Sequence, residues 1–273
     1  MRIVRLGEPG EEREAVLVDD EHAAWLPPGG GDVRQRGEEA LANGERVALQ
    51  GIRVGAPLRP GKIVCVGLNY ADHAAEGGQQ APAEPILFMK VPDTVVGPYD
   101  DVVIPRGGDK TDWEVELGVV IGRQATALAD EAAAMDHVAG YVLCNDVSER
   151  AFQLERGGQW DKGKNCATFC PMGPWFVTAD ELPDPQAVAL GLDVNDTAYQ
   201  DSSTKQMIFP VAHLVWYISQ FMTLYPGDVI STGTPAGVGA GQKPPVFLRT
   251  GDVMRVWASG LGEQRSTLIS GDS

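Results

Sequence analysis

The sequence predicts an α+β fold that is mainly β, and three observations carry that expectation. Glycine (33) and proline (19) are abundant among the 273 residues, and both favour turns between short strands over a helical bundle. Short apolar runs bounded by Gly, Pro, Asn or Asp recur along the chain. Few segments carry helical periodicity.

Residues 1–57 are read as a small N-terminal α+β module. Residues 3–6 and 14–19 fit short strands, Pro27-Pro28 and Gly29-Gly30-Gly31-Asp32 a turn, and residues 36–50 a loosely periodic helix. Pro57, Pro60 and Gly61 mark the boundary to a larger unit, residues 58–273. That unit opens on a buried strand at 62–66. Further strands are expected at 86–89, 94–96, 102–104, 114–121, 139–144, 175–178, 189–194 and 229–232. Helices are expected at 131–137 and 211–224, and residues 145–153 read as a strand end passing into a helix. There is no internal repeat or low-complexity tract.

A net charge of −16 argues against nucleic acid or an anionic membrane surface as partner, but not against a small anionic substrate held by local cations. The N-terminus carries no signal-peptide pattern, and the most apolar long stretch, 208–224, contains His213 and Gln220 and is too short to span a bilayer. Cys65, Cys144, Cys166 and Cys170 form no CxxC pair; they read as buried or incidental thiols in a reducing cytoplasm.

The most informative segment is Asp112-Trp113-Glu114-Val115-Glu116-Leu117-Gly118-Val119-Val120-Ile121. Side chains alternate faces in a strand, so Glu114 and Glu116 share one face while Trp113, Val115, Leu117, Val119 and Ile121 fill the other. Two adjacent carboxylates repel and resist joint desolvation, so a hard divalent cation is the natural partner. A half-exposed strand with a solvated acidic face is the competing reading.

Asp146, Arg150 and Gln153 fall at i, i+4 and i+7, one face of one helix, where they can meet a metal, a carboxylate and an oxyanion; a surface ion pair is the plain alternative. His73 and Glu76 fall at i, i+3, a spacing at which a carboxylate can orient an imidazole base, or form a mere surface contact. The following Gly77-Gly78-Gln79-Gln80-Ala81-Pro82 suits a hinge for a lid carrying that pair. Lys164 lies between a Gly-containing turn and an apolar strand, placed to stabilise a developing anion or else solvated. The Gly-rich run from Ser231 to Gly241 lacks a dinucleotide or phosphate-loop ending, but its amides and Thr234 can receive a carboxylate.

Together these segments resemble the fumarylacetoacetate hydrolase superfamily, in particular its bacterial branch acting on 2,4-dioxo acids and related sugar-acid degradation products. The resemblance runs from about residue 60 to the C-terminus. It rests on Gly67-Leu68-Asn69-Tyr70 with His73 and Glu76, Phe88-Met89-Lys90, Lys110-Thr111-Asp112-Trp113-Glu114-Val115-Glu116-Leu117-Gly118, Asn145-Asp146-Val147-Ser148 with Arg150 and Gln153, Lys164, and Pro226-Gly227-Asp228-Val229-Ile230-Ser231-Thr232-Gly233-Thr234-Pro235.

The resemblance implies a β sandwich or roll with flanking helices, assembled as a homodimer. It implies Mg2+ or Mn2+ on Glu114, Glu116 and Asp146, with His73 and Glu76 as a lid dyad activating water. Lys164, Arg150 and Gln153 would stabilise negative charge, and Lys90 and Thr234 would shape the substrate site. Relatives often carry Asp at Ala167 and Gly at Cys170, so the support of Lys164 is open. The implied reaction is hydrolysis of a C–C bond in a 2,4-dioxo acid, an acylpyruvate or, by the match to the sugar-acid branch, a 2,4-diketo-3-deoxy acid, giving pyruvate and a carboxylic acid. Oxaloacetate-type decarboxylation or isomerisation of an unsaturated dioic acid on the same site is the enzymatic alternative; metal or ligand binding without catalysis is the third.

Overall fold

The computed structural model describes residues 1–271 apart from Gly77 and Gln79, so part of the expected hinge lies outside the described residues. Strands β1 (Arg2–Leu6), β2 (Arg13–Leu17) and β3 (His22–Trp25) form an antiparallel meander. Helix α1 (Val33–Asn43) follows; β4 (Arg46–Ala48) then pairs with β3, and β5 (Val54–Gly55) with β1. The helix expected at 36–50 is therefore corrected to an earlier, shorter one followed by a strand. Asp32 sets its start, its carboxylate accepting from Arg34 N at 2.8 Å. Gly44 sets its end: a Cβ there would lie 2.6 Å from the Ala40 carbonyl oxygen.

Beyond residue 57 come β6 (Ile63–Gly67), α2 (Ala71–Glu76), β7 (Ile86–Lys90), β8 (Val95–Val96), β9 (Val102–Ile104) and β10 (Thr111–Asp112). Next are β11 (Val115–Ile121), β12 (Val138–Asn145), β13 (Ser148–Glu149), α3 (Arg150–Leu154), α4 (Asp161–Lys164) and β14 (Cys170–Thr178). The chain ends with β15 (Ala189–Val194), β16 (Thr197–Ser203), α5 (Val211–Ser219), β17 (Val229–Ser231), β18 (Val253–Ala258) and β19 (Gly262–Ser270).

Twelve strands make the large sheet, in the order β4-β3-β2-β1-β14-β12-β11-β17-β6-β7, with β5 added on β1 and β8 on β14. The N-terminal meander is continuous with it, because β1 runs antiparallel to β14 with Arg2 opposite Val177 and Ile3 opposite Phe176. A five-stranded sheet, β16-β15-β18-β19-β9, and the short ribbon β10-β13 complete the β structure. Strands dominate and helices are few, as the sequence predicts.

Alternation along β11 divides the core. Val115, Leu117, Val119 and Ile121 join one cluster with Leu190 and Leu192 of β15, Val256 of β18 and Leu214 of α5. Val120 belongs to a second cluster with Val142, Phe176 and Ala40 of α1. Two expected helices are corrected. Residues 131–137 form only a 3-10 turn, Ala134–His137, and α5 stops at Ser219 so that Leu224 and Ala125 can exchange backbone hydrogen bonds, both 2.9 Å. Among the described residues no helix is long and apolar enough to cross a membrane.

Candidate active site

Strand pairing assembles the carboxylates. In β11–β12 Val115 lies opposite Asn145, and Asp146 N donates to the Glu114 carbonyl at 2.9 Å. One oxygen each from Glu114, Glu116 and Asp146 thus falls within 4.8 Å of the others, and all three residues are buried. The solvated acidic face is excluded. Asp146 is not on the helix expected for it: α3 starts only at Arg150, capped by Glu149, which accepts from Ala151 N at 3.2 Å. Arg150 and Gln153 still reach the site from α3 and bond each other at 3.0 Å.

Buried cations surround the triad. Lys164, the last residue of α4, places Nζ 2.6 Å from Glu114 Oε2 and 2.7 Å from Asp146 Oδ2, which identifies its support without an acid at 167. Arg150 Nη2 lies 2.7 Å from Glu114 Oε1, and its Nε donates to Asp112 Oδ2 at 2.8 Å. Lys90 sits behind Asp146 rather than on the cavity wall. Its fully buried ammonium donates to Asp146 Oδ1 (2.6 Å), Val147 O (3.1 Å) and Lys164 O (2.5 Å), leaving no proton for a substrate. Thr234 lines the cavity, but its hydroxyl donates to Val115 O at 2.9 Å and accepts from Gln200 Nε2 at 2.8 Å.

These contacts split the two glutamates. Burial pushes the Glu114 carboxyl up, but the charges of Lys164 and Arg150 outweigh it and hold the group at about 2. Glu116 is raised well above the ordinary range by burial and by the charges of Asp146 and Glu114. Lys164 would be lowered by burial, yet Asp146 and Glu114 raise it.

Asp112 is a site residue that the sequence reading passed over. Its Oδ1 accepts from Trp113 N (2.8 Å) and Gly239 N (2.7 Å), and its Oδ2 from Ala240 N (3.0 Å) as well as Arg150. It ties Arg150 to the glycine-rich loop. The alternation that singles out Glu114 and Glu116 includes Asp112 one step earlier, and that was the available signal.

Helix α2 closes one side of the cavity. Glu76 accepts from Gly237 N at 3.1 and 3.2 Å, and His73 Nδ1 lies 3.4 Å from Glu76 Oε2. At the start of the helix, Asp72 accepts from Ser202 Oγ at 2.7 Å. Gly237 has φ of +103°, and a Cβ there would strike the Tyr199 carbonyl, so only glycine presents that amide to Glu76. The cavity, about 250 Å³, takes its polar lining from His73, Glu76, the two glutamates, Arg150, Gln153, Lys164 and Thr234. Leu68, Phe88, Leu154, Trp160 and Val238 supply much of the remainder.

The donor set fits a hard divalent cation. Four buried carboxylates (Asp112, Glu114, Glu116, Asp146) face three buried cations (Lys90, Arg150, Lys164), a deficit felt at Glu116. Ser231 Oγ (2.5 Å) and Gly233 N (3.0 Å) both donate to Oε2 of Glu116, while Oε1 has no hydrogen-bond donor among the described residues.

Residues 62–269 match the fumarylacetoacetate (FAA) hydrolase C-terminal family. A Burkholderia multivorans protein provisionally named a hydrolase is 50% identical over 275 residues, covering 97% of each chain. Fumarylacetoacetate hydrolase from psychrophilic Exiguobacterium antarcticum is 35% identical, with a TM-score of 0.86 over 99% of both chains. The 2-hydroxyhepta-2,4-diene-1,7-dioate isomerase of Mycobacterium marinum is 32% identical, with a TM-score of 0.82 over 100% of both chains. With its sheet order, its acidic triad and a match across most of its length, the chain belongs to the fumarylacetoacetate hydrolase family.

Proposed function

We propose that the protein hydrolyses a C–C bond in a 2,4-dioxo acid, either an acylpyruvate or a 2,4-diketo-3-deoxy sugar acid, releasing pyruvate and a carboxylic acid. The observation that carries this reading is that His73 and Glu76 line the same cavity as Glu114, Glu116 and Lys164, with Asp146 buried beside the two glutamates. Water attack needs a base, and an imidazole steadied by a carboxylate is one.

Glu114, Glu116 and Asp146 would hold Mg2+ or Mn2+, which supplies Lewis-acid polarisation and orientation of the substrate's 2-oxo acid end. Gln153 gives its oxygen to Arg150 and keeps its amide nitrogen as a donor toward the bound acid. Glu76, fixed by Gly237 N, orients His73. The imidazole takes a proton from a water attacking the C4 carbonyl, and Glu76 stabilises the resulting imidazolium. Cleavage of C3–C4 leaves negative charge on the departing pyruvate enolate. Lys164 and Arg150 stabilise that charge until C3 is protonated.

Proton NMR of products from acetylpyruvate, with Mg2+ and with excess chelator, tests the reading. Pyruvate and acetate are expected only with metal; an intact substrate in both samples refutes acetylpyruvate hydrolysis. The name of the M. marinum structure favours a second reading, isomerisation of an unsaturated dioic acid. Decarboxylation of an oxaloacetate-type acid needs no water attack, so His73→Ala should cut dioxo-acid hydrolysis by about 100-fold or more while sparing part of that reaction. Equal loss of both would refute the division.

A further inference from the structure

We propose that the acyl half of the substrate is a short apolar chain, and that the cavity discriminates against a second carboxylate or a run of hydroxyls there, an assignment that rests on the dioxo-acid reading above.

Charge in the cavity is gathered around the carboxylate triad and already paired. Arg150 is engaged by Asp112, Glu114 and Gln153, and Lys164 by Glu114 and Asp146. Among the described residues lining the cavity, His73 is the only other group able to carry positive charge, and it faces Glu76. A distal carboxylate would be desolvated without a cation of its own. Hydroxyls fare little better, since the Thr234 hydroxyl and the Gln153 oxygen are taken by protein partners.

The part of the lining formed by Phe88 and Trp160 is apolar and built to stay so. The Phe88 and Trp160 rings meet edge-on at 5.4 Å, and Lys164 Nζ lies 5.0 Å from the Phe88 ring. Gly67 makes room for Trp160, because a Cβ at Gly67 would lie 2.6 Å from the indole. Leu68 holds φ of +54°, a conformation that a leucine adopts at a steric cost, and its residue lines the cavity. Leu154, 56% exposed, extends this surface toward solvent. A volume of about 250 Å³ lies below the usual range for small-molecule sites, so the chain beyond the 2-oxo acid head is short.

Two acids of equal carbon number separate selectivity from chemistry: 2-oxohexanoate, with an apolar tail, and 2-oxoadipate, with a distal carboxylate. Neither has the C4 carbonyl that hydrolysis requires. Isothermal titration of the full chain in Mg2+ should find 2-oxohexanoate tighter by about tenfold or more. Equal or tighter binding of 2-oxoadipate, or of a 2-keto-3-deoxy hexonate, overturns the inference, as does failure of all three to bind. Leu154→Arg, a change at an exposed position, should narrow the preference by improving 2-oxoadipate binding; an unchanged preference removes Leu154 from the wall. Preference for the apolar tail without cleavage of any 2,4-dioxo acid upholds the wall and refutes the hydrolase reading. Cleavage that favours a dicarboxylate or a sugar acid does the reverse.

Discussion

Glu116 and Glu114 respond to pH in opposite senses. The raised Glu116 means that its proton favours the folded state. In metal-free protein that stabilisation is complete below the unfolded value of about 4.3 and is lost as pH rises through the raised folded value. Glu114, held at about 2, contributes stability above about 4.3 that disappears as pH falls toward 2. Adding Mg2+ should therefore raise the melting temperature by more at about pH 8 than at about pH 5, because the metal replaces the proton on Glu116. A gain that does not change with pH in differential scanning fluorimetry would remove Glu116 as a ligand. Glu116→Ala should abolish that gain together with turnover. His73→Ala should keep the gain while kcat for hydrolysis falls by about 100- to 10,000-fold. The glutamates and the dyad were legible because strand alternation and helical spacing are local. Lys90 was misplaced because only the fold shows that its ammonium is taken up by Asp146 and two carbonyls.

Helix α2 is tied to the glycine-rich loop through Glu76, in addition to its buried Ala74 and the bond from Ser202 to Asp72. A Cβ at Gly241 would meet the Glu76 carboxylate at 2.6 to 2.9 Å, so Gly241→Ala should displace Glu76 and disturb the His73 orientation. The expected result is a fall in kcat of about tenfold or more with the Mg2+-dependent melting gain intact, read by steady-state kinetics beside fluorimetry. Unchanged kcat would show that the dyad tolerates the displacement. Legibility at this scale followed the polarity of each element. β11 and β12 were evident as apolar runs, whereas β19 presents Gln264 and Ser266 inward, buried although polar, and so matches no simple alternation. Gln264 Nε2 reaches the carbonyls of Leu143, Pro171 and Gly173, partners that exist only once β12 and β14 are in place. For α1, the loose apolar spacing led the expected helix through Gly44 to residue 50, whereas the helix stops at Gly44 and Val47 pairs with Ala23.

Across the whole molecule, the large sheet runs from the N-terminal meander into the strands that carry the site. Deleting residues 1–57 would strip β1 from β14 and expose the strand edge at Phe176 and Val177. Aggregation of the truncated chain during size-exclusion chromatography is the expected outcome; a monodisperse, metal-responsive fragment would show that residues 58–273 fold alone. The sheet's breadth was not legible, because pairing of β1 with β14 joins residues about 175 apart and leaves no mark in either segment. The same remoteness governs the site, where Glu76 bonds Gly237, Asp112 bonds Gly239 and Ser231 bonds Glu116 across separations of 161, 127 and 115 residues. Contacts of such separation require long loops to close before they can form. A partly folded chain therefore offers a divalent ion no assembled site, and the ion favours the finished structure over every intermediate. Metal should leave the refolding rate nearly unchanged and slow unfolding, so that its stabilising effect acts as kinetic persistence of the completed fold.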